Sequence, residues 1–468
     1  MEKIRIYNTL SKKKEVLKPL KKNKINLFVC GPTVYDFSHI GHARTYIIFD
    51  CFVRYLKYLG FKVFYLQNIT DIDDKIILMA KEKGVLPKDL ADAFTKEYLK
   101  DMKKLGIDTV TKYAKATYYI KEIVSQVKEL LDKGYAYKLD DGIYYDISKF
   151  KGYGKLSGRT ILQAEDATSR IDYSRDKKNR GDFCLWKLNE NKREPRWPSP
   201  FGNGRPGWHI EDTAITEKFF GSQYDIHGGG RDLIFPHHEA EISQMEAISG
   251  KKPMAKYWMH TGFLTIDDQK MSKSLDNFVT VDSFLRRYSY RSLRFLFAKN
   301  LWRSPINYSE STMIEVKSAL GKIEEFLIRL KGVKETKSGS KKLRVELKKA
   351  LDNFYKNLND DFNTPKAFAV IFEFIKKTNK LLDQTLVDKK SASETYKFFE
   401  EINNIFDFID FKNLKGSNIP ERVRKLMQER EKYRKQSNWQ KADEIRKEIE
   451  KQGFSVQDFK DGPFLKKI

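Results

Sequence analysis

Two short runs concentrate side chains able to handle phosphate. In CGPTVYDFSHIGHARTYIIFD an apolar run ends and a helix begins, with His39 and His42 three apart around Ile40 and Gly41. Imidazoles placed there can donate hydrogen bonds to phosphate oxygens, and a helix start adds unpaired amides and the positive end of its dipole. Gly41, without a Cβ, lets a nucleotide approach the backbone. Far downstream, behind the mobile-looking run TIDDQ, the run KMSKS carries Lys270 and Lys273. Two lysines three apart can neutralise the charge that develops on a leaving pyrophosphate. Alone, a histidine turn is more often structural and a lysine loop means little; together they form a specific pair.

The elements that must hold these groups follow from periodicity. NLFVC (26 to 30) is a short apolar run, the stretch from Gly41 places Ala43, Ile47, Val53 and Leu56 on one side, and KVFYLQNIT is β-branched and aromatic. Residues 26 to 69 therefore predict strand, helix, strand, a βαβ unit with a parallel sheet. Ligands collect at the C-terminal ends of such strands, where Cys30, His39, His42 and Thr70 fall. Residues 111 to 204 break this rhythm with a hairpin-like segment and Gly- and Pro-containing runs, and are expected to be an insertion. The pattern resumes with a helix from about Trp208, a strand at YDIH, GGGRD, a helix from Pro236 to Ile248 and a strand near WMHTGFL. Four helical runs follow, near 311 to 331, 342 to 359, 365 to 382 and 391 to 409, the third with Thr364 as N-cap and Pro365 at its first position. They predict an all-helical bundle.

Composition sets the class of partner. Lys and Arg number 89 against 64 Asp and Glu, a net charge of +25, which calls for a polyanion. With 40% hydrophobic and 13% aromatic residues the chain is nevertheless a folding one. Three cysteines, Cys30, Cys51 and Cys184, exclude a disulfide framework and suit a reducing compartment. There is no apolar leader and no run long enough to span a membrane, so a cytoplasmic protein is expected. All seven histidines lie in the first 260 residues. The segment from 421 to 468 instead holds 14 basic against 9 acidic residues, with Tyr433 and Trp439 among them.

The pairing of HIGH with KMSKS in a split α/β domain resembles the class I aminoacyl-tRNA synthetases. The finer runs, FVCGPTVYDFSHIGHARTYIIFD, NITDIDDKI, GRPGWHIED, YDIHGGGRDLIFPHHEAEISQ and KMSKSLDNF, resemble the cysteinyl-tRNA synthetases, as does the ending SNWQKADEIRKEIEKQGFSVQDFKDGP. The resemblance implies a Rossmann-type parallel-sheet catalytic domain split by an insertion, then an all-α bundle and a small C-terminal domain. Its expected divisions are 1–110 and 205–264 for the catalytic halves, 111–204 for the insertion and 265–310 for the KMSKS region. The bundle takes 311–415 and a basic anticodon-binding domain 416–468. It further implies ATP-dependent ligation of L-cysteine to its tRNA through a cysteinyl adenylate, by a monomer, with magnesium on ATP and one zinc per chain. His39, His42, Lys270 and Lys273 would be catalytic, and Gly41, Gly228, Gly229 and Gly230 would meet ATP. Cys30, Gly31, Thr70 and Trp208 would form the amino-acid pocket. The zinc positions match Cys30, Asp212, His237 and Glu241, the last two one helical turn apart.

Zinc suits this pocket because a metal-bound thiol is deprotonated, whereas serine offers only a hard hydroxyl. Two departures from the family pattern stand out: Asp212 replaces a zinc-binding cysteine, and Asp276 replaces a glycine beside the lysine loop. His209, His238, Cys51 and Cys184 are expected to be packing or supporting residues. The competing readings are a cysteine-activating ligase acting on a small amine and an inactive RNA-binding paralogue.

Overall fold

The computed structural model describes residues 3–159, 176–189, 194–271, 277–334, 341–412, 414, 420–459 and 462–467. The chain divides into two compact units. The first comprises 1–317, 353–369 and 404–408, the second 318–352, 370–403 and 409–468.

A five-stranded sheet forms the centre of the first unit. Its strands are β1 (Lys24–Val29), β2 (Lys62–Ile69), β3 (Lys112–Lys115), β4 (Tyr224–Gly230) and β5 (Ala255–Thr261). Their order is β5-β4-β1-β2-β3 and every pairing is parallel. Both chain directions out of β1 thus diverge between β1 and β4, the switch point at which parallel sheets open a crevice. The expected βαβ unit is present: α1 (Ile40–Tyr58) joins β1 to β2. This helix is buried around most of its circumference, because Ile47, Phe49, Phe52, Val53 and Tyr55 point to several sides of a surrounding core. Helices α2 (Ile210–Phe220) and α3 (His237–Ser249) flank β4.

Between β3 and α2 the chain builds a separate antiparallel sheet from Ala136–Leu139, Gly142–Tyr145, Phe183–Leu188 and Gly204–Pro206. A second small sheet carries the start of KMSKS. Leu264–Ile266 pairs antiparallel with Gln269–Lys270 and parallel with Ile306–Tyr308. TIDDQ, expected to be mobile, is a tight hairpin: Asp267 and Asp268 both take positive φ, 47° and 63°, as a two-residue turn with the right twist requires. The strand expected around WMHTGFL is interrupted at Gly262, where a Cβ would lie 2.3 Å from the Ser304 carbonyl oxygen.

The four helical runs are Glu310–Lys331, Lys341–Asn359, Thr364–Asp383 and Lys389–Phe406. Two boundaries differ from expectation. Thr364 is the first helical residue, its hydroxyl donating to the Asn300 carbonyl, while Asn363 Oδ1 accepts the Lys366 amide at 3.3 Å. The last helix stops at Phe406 because Asp407 turns to a φ of 51°. Within the second unit, Phe326 packs against Phe374 and Phe399. Helices Glu421–Lys435 and Trp439–Lys451 and the hairpin of Phe454–Phe459 with Gly462–Lys467 enclose their own core of Val423, Met427, Ile445, Ile449, Phe454, Val456 and Leu465. Among the described residues no helix is long and apolar enough to cross a membrane.

Candidate active site and metal cluster

His39 caps α1. Its backbone is extended (φ −112°, ψ 165°) and its Nδ1 accepts the amides of Gly41 at 3.1 Å and His42 at 3.3 Å. A neutral ring that accepts at Nδ1 carries its proton on Nε2, so His39 presents a donor there. The His42 ring stacks on it with centroids 3.7 Å apart. Burial, with the neighbouring His42 adding to it, pushes His39 down to about 2, and burial pushes His42 down to about 4. Both rings are therefore uncharged donors at neutral pH, and His42 Nδ1 is buried without a hydrogen-bond partner. Gly41 is demanded by the turn itself: a Cβ would fall 2.8 Å from His39 Nδ1 and 3.1 Å from Met271 Cε.

That contact brings the methionine of KMSKS against the histidine turn. On the far side of the lysine loop, Ile40 donates to the Val279 carbonyl and Val281 to the Ser38 carbonyl, at 3.0 and 2.8 Å. Lys270 ends the return strand of the small hairpin. Lys273 and Asp276 lie outside the described residues.

At the switch point a second group forms. Cys30 follows β1, Asp212 sits in the first turn of α2, and His237 opens α3 with Glu241 one turn later. Three donor atoms converge on His237 Nε2: Cys30 Sγ at 3.6 Å, Asp212 Oδ2 at 3.0 Å and Glu241 Oε1 at 3.0 Å. Around a zinc ion with bonds of about 2.0 to 2.3 Å, neighbouring ligand atoms stand roughly 3.3 to 3.7 Å apart, close to the three contacts made by His237. Cys30, Asp212 and His237 group as one candidate ligand cage, while Glu241, which also meets His237, groups with His227 and His238. All four groups are buried. Each oxygen of Glu241 faces an imidazole nitrogen, Oε1 that of His237 at 3.0 Å and Oε2 that of His227 at 3.2 Å, so the buried carboxylate depends on a neighbouring positive charge. Burial, then the carboxylates of Asp212 and Glu241, hold the Cys30 thiol well above its ordinary pKa. Burial alone would lower His237, but Glu241 and Asp212 overcome it and raise the ring to about 9. Without a metal the cluster thus keeps protons on sulfur and imidazole, which a divalent ion would displace.

The surrounding residues orient this cage. Asn68 donates to Asp212 Oδ1, leaving Oδ2 to face His237. Thr70 donates to Glu211 Oε1 at 2.8 Å. The other ring nitrogen of His237 meets His209 Nδ1 at 2.8 Å, and Trp208 stacks on the His237 ring at 4.2 Å. His209 therefore fixes the orientation of His237, the supporting role expected of it. His238 faces His260 at 2.8 Å. His227 Nε2 stands 3.2 Å from Glu241 Oε2 and its Nδ1 bonds Tyr224. His227, His238 and Glu241 form a second trio of close donor atoms behind the first. Cys51 and Cys184 are buried, as expected.

Gly31 and the glycines of β4 answer to packing. A Cβ on Gly31 would lie 1.8 Å from the Asn68 carbonyl oxygen, one on Gly228 2.3 Å from the Phe49 ring, and one on Gly229 2.8 Å from His238. On Gly230 it would meet Asp232 Oδ1 at 2.4 Å. Asn68, Glu211 and His227 escaped sequence reasoning. Only their positions beside Thr70, Asp212 and Gly228 could have drawn notice to them.

Three family models cover the chain: "tRNA synthetases class I (C) catalytic domain" at residues 16–318, "DALR domain" at 353–410 and "Cysteinyl-tRNA ligase anticodon binding domain" at 417–463. A cysteine–tRNA ligase of Methanococcus maripaludis is 43% identical over 99% of both chains. One of Thermococcus gammatolerans is 42% identical over 99% of both. Among solved structures, Mycobacterium tuberculosis methionyl-tRNA synthetase with methionyl-adenylate aligns over 82% of this chain and 92% of its own, with a TM-score of 0.64 at 14% identity, a likeness of fold. A Rossmann-type sheet opened at its switch point, a histidine turn facing the KMSKS root, and full-length identity above forty per cent thus agree that the chain belongs to the cysteine–tRNA ligase family.

Proposed function

We propose how this chain's residues carry out its reaction, the ATP-dependent joining of L-cysteine to its cognate tRNA through a cysteinyl adenylate. A carboxylate oxygen of cysteine attacks the α-phosphorus of ATP in line; the new O–P bond forms as the bond to pyrophosphate breaks. His39 and His42 donate neutral hydrogen bonds to phosphate oxygens, and Lys270 and Lys273 neutralise the departing pyrophosphate, which carries magnesium. A ribose hydroxyl of the terminal tRNA adenosine then attacks the adenylate carbonyl and AMP leaves. Catalysis is mainly positioning and electrostatics. Gly228, Gly229 and Gly230 border the adenosine side, and Gly31, Thr70 and Trp208 border the amino acid.

Cys30, Asp212, His237 and Glu241 would hold the zinc ion. A bound zinc supplies a soft Lewis acid that recognises thiolate over hydroxyl. The convergence of buried Cys30, Asp212 and Glu241 on His237 Nε2 carries this assignment. Cysteine-dependent exchange of pyrophosphate into ATP, measured with metal content before and after chelation, tests it. Parallel loss of zinc and exchange supports it; full exchange by metal-free protein overturns it. A match to an anticodon-binding model at 417–463 favours tRNA over a small amine as acceptor. Three buried cysteines outside any disulfide suit the reducing cytoplasm, and a monomer is the proposed state, to be checked by sedimentation.

A further inference from the structure

Arg44, five residues into the helix that His39 caps, is 1% exposed. Among the described residues its guanidinium has no carboxylate partner. Nη1 donates to the Phe263 carbonyl, and Nη2 to the carbonyls of Trp302, at 3.2 Å, and Ser304. Its Nε is buried without a partner. Burial draws its pKa down to about 9, so it remains charged at neutral pH. A buried cation facing only carbonyl dipoles is a costly arrangement. An apolar side chain in its place would leave these three carbonyls without their donor, so the guanidinium is matched to the backbone groups it joins.

The three carbonyls identify what the charge holds. Phe263 immediately precedes Leu264–Ile266, the strand that turns back through Asp267 and Asp268 to Lys270. Trp302 and Ser304 lie four and two residues before Ile306–Tyr308, the strand paired with it. Gly262 is pressed so close to Ser304 that no Cβ fits between them, which fixes the spacing of the two roots. Thr45, the next residue of the helix, bonds the Thr261 hydroxyl at 2.7 Å.

We propose that Arg44 is a positioning residue for adenylation: its planar fork ties the helix of His39 and His42 to the root of the sheet ending in Lys270, and so sets the separation of the two phosphate-handling elements. The proposal rests on the assignment of catalytic work to those two elements. A shift of about 1 Å between groups that act together can cost about 100-fold in rate. Lysine cannot replace the fork, since a single ammonium reaches fewer of three coplanar acceptors.

The test is cysteine-dependent ATP–pyrophosphate exchange by the full chain. Arg44→Ala is expected to lower kcat by about 100-fold while the KM values for ATP and cysteine stay within about threefold. Added guanidinium ion should restore part of the lost kcat, and Arg44→Lys should fall between wild type and Arg44→Ala with a thermal midpoint near wild type. Arg54→Ala, which removes a guanidinium from the Asp50 and Asp108 end of the same helix, should show no guanidinium response. An Arg44→Lys protein with wild-type kcat overturns the proposal. So does a loss in Arg44→Ala that follows the folded fraction alone and ignores guanidinium. His39→Asn separates the two readings: full exchange by that variant would sink the catalytic assignment of the histidine turn instead.

Discussion

At the proposed zinc site, Asp212 is the residue that would set the character of the metal's surroundings. One of its oxygens is held by Asn68 and the other faces His237, so it offers a single fixed oxygen to the cage. Cys30, Asp212 and Glu241 supply three negative charges, as a set with cysteine at 212 would, so the exchange alters softness and leaves charge alone. Oxygen ligands sit about 0.2 Å closer to zinc than sulfur and favour harder ions. Asp212→Cys should therefore bind zinc more tightly and admit manganese less well, measured by competition with a chelating dye; an unchanged zinc affinity would remove Asp212 from the ligand set. Cys30→Ala should lose stoichiometric zinc on purification. Lys273→Ala carries a different expectation, because the proposed task of its charge is to neutralise pyrophosphate as it leaves. Its kcat for exchange should fall by about 100-fold or more with little change in the KM for cysteine. A proportional loss in both would mark Lys273 as a binding residue.

The histidine turn behaves as a unit, and its parts are bound by sterics. Gly41→Ala would drive a methyl group into His39 Nδ1 and Met271, so the ring must leave its cap. The expected result is a fall of about tenfold or more in adenylation kcat with thermal stability lowered by about 1 kcal/mol, the worth of an N-cap. Wild-type exchange in that variant would show that the cap is dispensable. The same burial sets a pH dependence. Buried His39, His42 and His260 have pKa values of about 2, about 4 and about 3, below the unfolded value of about 6.5. The unfolded chain therefore binds more protons as pH falls, and stability present above about 6.5 is lost below it, at most by about 1 kcal/mol per histidine between pH 7 and 5.5. Urea midpoints at the two pH values check this, and His260→Gln should flatten the difference. The sequence already placed His39 and His42 at a helix start and Lys270 after a strand, because strand, turn and helix follow local periodicity. It gave no sign of Arg44 reaching Phe263, Trp302 and Ser304, or of Asn68 reaching Asp212. Those contacts join segments between 144 and 260 positions apart, and only the parallel sheet brings them together.

At the scale of the whole chain, the proposed chemistry and the basic, aromatic-bearing segment lie in different parts. Every histidine and every proposed zinc ligand lies before residue 261, whereas the last segment combines basic residues with accessible aromatic rings. Trp439 is 59% exposed and Arg434 lies over its ring, and Lys441 lies over Tyr433. Exposed aromatic and cationic groups of this kind suit unstacked RNA bases and phosphates. The segment also closes its own hydrophobic core around Ile449 and Val456. Truncation before Ser417 should therefore leave cysteine-dependent pyrophosphate exchange within about twofold of wild type. It should raise the KM for tRNA by about tenfold or more and flatten the dependence of tRNA binding on salt, because fewer phosphate contacts release fewer counterions. Aminoacylation and exchange assays across a salt series separate the possibilities. If the shortened chain charges tRNA with an unchanged KM and salt slope, the basic tail serves another partner. If it loses exchange as well, the tail supports the catalytic unit rather than reading RNA.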